Sequence, residues 1–78
     1  MLNRKQISSV TLCDPKNNII VVVVEHPGWW ETTRTNGNVK QSNYFPLNGL
    51  NGRTLQEEVR YQMMAYVHRK VHSGFVVR

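Results

Sequence analysis

The chain has 78 residues, with ten Lys and Arg against five Asp and Glu, a formal net charge of +5 and a pI near 9.9. That length supports one domain spanning residues 1–78, because two would each lack the residues for a core, and a net stability of about 4–12 kcal/mol. Val, Ile, Leu and Phe supply 21 of the 78 residues, too many for a disordered chain, and the single cysteine, Cys13, excludes an internally cross-linked secreted miniprotein.

The first strand-like stretch is Gln6 to Cys13, with Val10 and Leu12 on one face and Ile7, Thr11 and Cys13 on the other. Asp14-Pro15-Lys16-Asn17-Asn18 reads as a turn, since proline presets the backbone angle and Asp14 accepts local hydrogen bonds. Ile19 to Val24 follows, six β-branched residues in a row. A strand apolar on both faces belongs in the middle of a sheet. The run is far short of the ~20 residues that span a bilayer. Arg4-Lys5 leads into Gln6-Ile7-Ser8-Ser9-Val10 and not into the apolar stretch of a signal peptide. The expectation is a cytoplasmic protein with no membrane partner.

Pro27-Gly28 breaks that strand, and two extended stretches, Trp29 to Thr35 and Asn38 to Phe45, flank Asn36-Gly37. Asn-Gly in this setting predicts a hairpin whose two central residues both take positive φ, a type I′ turn. Trp29 then lies opposite Tyr44, Glu31 opposite Ser42 and Thr33 opposite Lys40. Trp30, Thr32, Arg34, Val39, Gln41 and Asn43 fill the second face. Such a hairpin is aromatic at its base and polar on both faces toward its tip, which predicts a ribbon projecting from the body of the domain.

Pro46 to Gly52 holds the doubled tripeptide Leu47-Asn48-Gly49 and Leu50-Asn51-Gly52, read as two tight turns because structural repeats need units of about 20 residues. Thr54 and Glu57 have the spacing of a capping box. Leu55, Val59, Met63, Tyr66 and Val67 follow at helical spacing, and Ser73-Gly74 ends the pattern. The predicted helix runs from about Leu55 to His72, and Phe75 to Arg78 is long enough only for a terminal edge strand. The fold class is α+β: a small antiparallel sheet of four to five strands, in ββ-hairpin-α-β order, packed on one helix. One helix covers one sheet face. The other face then needs either the Trp hairpin folded over it or another chain, a homodimer or a partner protein.

His68 and His72 are four residues apart on the predicted helix, a spacing that suits two metal ligands. Nothing in the spacing of His26, Cys13, Asp14, Glu25 or Glu31 brings them a third, so no metal or other cofactor is expected. Instead, both histidines join Arg69 and Lys70 in complementing the negative end of the helix dipole. Three histidines among many cations also suit a metal-free RNA-cleaving toxin, in which one imidazole removes a proton and another returns it. No motif fixes that site. Cys13 beside Asp14 makes a poor nucleophile, because the neighbouring charge raises the thiol pKa.

Gly49 to Thr54, leading into a helix, offers outward backbone amides plus the donors of Arg53 and Thr54, a candidate phosphate cradle set against an ordinary turn and cap. Arg34 and Lys40 project from a ribbon of Thr, Asn and Gln, types that hydrogen-bond phosphates and base edges. Trp29 and Trp30 alternate to opposite faces, one a core anchor and the other free to stack a base or fill a partner's pocket. The expectation is a non-enzymatic protein that binds nucleic acid, or a protein–nucleic-acid complex, through Arg34, Lys40, Arg53, Thr54 and one tryptophan. The alternative is a small viral or mobile-element inhibitor or adaptor, of the anti-restriction or anti-CRISPR kind, seated on an acidic protein surface.

Overall fold

The computed structural model describes residues 6–47, 49–50 and 52–78. Its elements run β1 (Ser8–Asp14), β2 (Ile19–His26), β3 (Trp29–Asn36), β4 (Val39–Pro46), α1 (Leu55–His72) and β5 (Val76–Val77). All five strands pair antiparallel in one sheet, ordered β4-β3-β2-β1-β5. The apolar run of β2 occupies the middle strand. The helix lies on one face, giving the α+β architecture that the sequence predicts. Among the described residues no helix is long and apolar enough to cross a membrane.

The hairpin does not project. Pro27-Gly28 is a two-residue turn, with Gly28 at φ +85°, so β3 folds straight back and pairs with β2 from His26↔Trp29 to Ile19↔Asn36. Proline before a positive-φ glycine is the signature of a type II turn, which reverses the chain where the sequence reading saw only a break. An all-apolar central strand also needs hydrogen-bonded neighbours on both sides, and the β-branched threonines of β3 suit that place. Thr32 is accordingly buried. Only β4, exposed along nearly its whole length, keeps the character of a free ribbon edge.

The turn at the tip also differs from expectation. Its two central residues are Gly37 and Asn38, since Asn36 pairs with Val39. Gly37 takes φ +64° while Asn38 stays out of the positive region. A turn with glycine first, the II′ pattern, needs a left-handed residue only at that glycine, whereas a type I′ turn would force Asn36 there too. The register therefore moves by two, to Trp29↔Pro46, Glu31↔Tyr44 and Thr33↔Ser42. A shift of two leaves every side chain on its predicted face.

Leu12, Ile19, Val21, Val23 and Trp30 from the sheet meet Val59, Met63 and Val67 from the helix in the core. Trp30 stacks on Phe45 with centroids 4.2 Å apart and meets Tyr66 at 5.6 Å. The helix begins with the predicted capping box. The Thr54 hydroxyl accepts from the Glu57 amide, and the Glu57 carboxylate accepts from the Thr54 amide. It ends in a Schellman pair, the Phe75 amide donating to the Lys70 carbonyl and the Gly74 amide to Val71.

Candidate nucleic-acid interface

The sheet has two ends. Ile19 pairs with both Asp14 and Asn36, so the Pro15–Asn18 and Gly37-Asn38 turns lie together at what we call the tip end. Pro27-Gly28 marks the other end, and there the Gly28 amide donates to Gln56 Oε1 at 3.1 Å and anchors the start of the helix. The helix, about 27 Å long, runs from that end to the tip end. Its Ser73 and the following Gly74 line a shallow cleft with Asp14, Pro15, Lys16 and Asn17.

All four glutamates gather at the helix-start end, and three of them are paired. Glu25, fully buried, accepts from Ser8 Oγ at 2.7 Å, from Gln56 Nε2 at 2.8 Å and from both Nε and Nη2 of Arg60 at 3.1–3.3 Å. Burial alone pushes this carboxyl up, but those hydrogen bonds and the Arg60 charge outweigh it and hold Glu25 below its ordinary value. Glu58 accepts from Arg53 at 3.0 Å and from Gln62 at 2.9 Å. Glu31 meets His26 Nε2 at 3.0 Å.

The tip end has the opposite composition. Lys16, Arg34, Lys40, Arg69 and Lys70 lie there, and none forms a salt bridge among the described residues. Among the described residues Asp14 is the one Asp or Glu side chain at that end, and it accepts from Asn17 at 2.7 Å. On the helix side of the sheet three of these cations converge on Tyr66. The Arg69 guanidinium lies 6.0 Å and Lys70 Nζ 5.4 Å from the Tyr66 ring centroid, and Arg34, on the same sheet face as Trp30, approaches from β3. Burial raises the Tyr66 phenol above its ordinary pKa, and the nearby charges of Arg34 and Arg69 pull against that without cancelling it. Aromatic rings under guanidinium and ammonium groups fix long side chains that would otherwise roam.

The structure divides the residues singled out in the sequence. Arg34 pairs with Gln41 on the helix side, whereas Lys40 pairs with Thr35 on the open side, so the two cations do not share a face. Arg53 and Thr54 are engaged in the helix start. Arg53 bonds Glu58 and covers the Tyr61 ring at 4.1 Å, and Thr54 caps the helix. Glu57 and Glu58 take up the Thr54 amide and the Arg53 guanidinium, and the Asn51 of that loop lies outside the described residues, as does Asn48. Trp30 is the core anchor, and Trp29 lies half-buried on the open face, stacked on His26 at 3.9 Å with Tyr44 beside it at 5.6 Å. His26 is thus on the open sheet face, while His68 and His72 ride the helix on the other side. Among the described residues no three His, Cys, Asp or Glu groups converge on a metal position.

Sequence reasoning missed the grouping of Arg34 with Arg69 and Lys70. The signal was available in part: residues three and four apart on a helix are neighbours, which places both cations beside Tyr66. It also missed Glu25, whose parity with Val21 and Val23 sends a carboxylate toward the helix and demands a partner such as Arg60.

No protein-family model, curated protein or solved structure matches the chain.

Proposed function

We propose that the protein is a non-enzymatic nucleic-acid-binding protein that grips phosphates at its tip end. Arg34, Arg69 and Lys70 around Tyr66, with Lys16 on the adjoining turn, form the contact surface. The observation that supports this reading is the segregation of charge: the glutamates and their partners occupy one end, and unpaired cations the other. A field of one sign at one end steers a polyanion there and keeps the acidic end away from it. Phosphate contacts of this kind carry affinity and little sequence information. The donors sit on a strand, a turn and a helix, so they meet successive phosphates and not one isolated anion.

The test is salt-dependent binding of a generic oligonucleotide by Lys16→Ala/Arg34→Ala. Removing two ionic contacts lowers the slope of log affinity against log salt by about 1.8, at about 0.9 per contact on duplex DNA. Both side chains are exposed, so folding stability stays within about 0.5 kcal/mol. Wild-type binding that is absent, or a slope that the double variant leaves unchanged, refutes the proposal.

A further inference from the structure

No helix lies on the sheet face opposite α1. Ile20, Val22 and Val24 run down its centre between Thr11 on β1 and Thr33 and Thr35 on β3; Val24, at the end that carries the His26–Trp29–Tyr44 aromatic group, is buried, whereas Ile20 and Val22 stay half-exposed, and the hairpin lies in the plane of the sheet and does not fold over them. The Cα extents of 39 × 33 × 19 Å match one sheet and one helix layer. Among the described residues of the four long strands, Glu31 on β3, with His26 of β2 beside it at 3.0 Å, and Lys40 on β4 are the charged groups of this face. Their placement is symmetric. Thr11, Val22, Thr33 and Ser42 form one row across four strands. Lys40 is two residues from that row toward the tip, and Tyr44, with Glu31 directly opposite it, is two residues the other way. At about 3.4 Å per residue both lie about 7 Å from the central row.

We infer that a second copy of this chain covers the face, related by a twofold axis that runs along that row. The rotation reverses the strand direction and keeps each strand over its counterpart. Lys40 then stands over Tyr44 of the second copy and within reach of its Glu31, and the same contact forms twice. The apolar stripes meet at the centre, with the two sheets about 10 Å apart in an aligned sandwich. Glu31 meets His26 Nε2 at 3.0 Å within its own chain, and a second copy adds Lys40 on its other side, where a polyanion would bring only like charge. Four strands about 4.8 Å apart and about 27 Å long present roughly 500 Å² in projection. That falls below the ≈800 Å² per partner of a standard interface and gives a weak, concentration-dependent dimer. This inference is independent of the nucleic-acid reading, whose contact surface lies at the tip and on the helix side.

Sedimentation of the full chain into the high-micromolar range is expected to show a reversible monomer–dimer equilibrium. Lys40→Glu, at an exposed site, sets like charges against each other twice and weakens the dimer at least about tenfold. Glu31→Lys combined with it restores association. Cys13, half-exposed on the same face, gives a second readout that does not depend on the double variant folding. Its rate of thiol labelling falls as the wild-type concentration rises, and stays constant in Lys40→Glu. A wild type that remains monomeric with constant labelling overturns the inference. So does a dimer that Lys40→Glu leaves intact, the result of edge pairing through β4, or a different protein that shields Cys13 in a stoichiometric complex.

Discussion

Replacing Glu25 by glutamine tests how the start of the helix is fixed to the sheet. Glu25 has no exposed surface and serves as acceptor for Ser8, Gln56 and Arg60 together. A carboxamide in its place would offer one oxygen and one NH₂ group, so at least one of these donors would face another donor. Breaking a buried ion pair costs about 3–5 kcal/mol, but the Arg60 side chain is 60% exposed and regains water. The expected loss is therefore at the low end, about 3 kcal/mol at neutral pH. For a domain of this size that is a fall in Tm of roughly 12–24 °C, read by circular dichroism. The pH dependence has a fixed sign. Glu25 is held below its ordinary value of 4.5 in the folded state, so its contribution is complete above that value and disappears as pH falls through the folded pKa. Wild type thus loses stability on acidification more steeply than Glu25→Gln, and the two curves converge. A variant as stable as wild type at neutral pH, or parallel acid profiles, would show that the network does not hold the helix.

Trp30→Ala removes a buried ring that stacks on Phe45 and meets Tyr66, and is expected to cost about 3–5 kcal/mol, enough to unfold much of the population in a fluorescence-monitored urea titration. Trp29→Ala in the same assay loses less, because its ring is half in water on the open face. The turn register is tested by Gly37→Ala against Asn36→Ala. The first forces a left-handed alanine at about 1–2 kcal/mol, and the second stays within about 0.5 kcal/mol. Equal losses would put the turn back at Asn36-Gly37.

What the sequence revealed was local. Six β-branched residues from Ile19 announced the middle strand, and Thr54, Glu57 and the apolar spacing from Leu55 bounded the helix at the observed Leu55 and His72. Each of those signals lies within a few residues of its effect. The place of β3 was not legible in that way. Glu31, Thr32, Thr33, Arg34 and Thr35 look like a solvated ribbon, and Thr32 is buried only because Pro27-Gly28 turns the strand against β2, where the helix covers it. The cluster at Tyr66 was hidden for the same reason. Arg34 lies 32 positions before Tyr66, and only the sheet register, the helix direction and the packing of Trp30 bring the two together. The charge pattern was visible as a balance of ten against five and not as a division into ends.

That division has a structural component. Acidic residues in the first turn and basic ones in the last are what the helix dipole favours, at about 0.3–1 kcal/mol each. Glu57, Glu58, Arg69, Lys70 and His72 fit that rule. A helix laid along the sheet from one end to the other would therefore carry some polarity whatever the protein binds. Lys16 and Arg34 are different. They lie outside the helix, Lys16 on the β1–β2 turn, which shares a cleft with Ser73 and Gly74 at the negative helix end, and Arg34 on β3, and no carboxylate pairs with either among the described residues. Left to stability alone, a strand at that end would gain nothing from adding positive charge beside Arg69 and Lys70, since like charges repel. Arg34, on a strand and beyond the last turn of the helix, is the part of the pattern that the dipole does not explain, which makes it the residue on which the binding surface stands or falls.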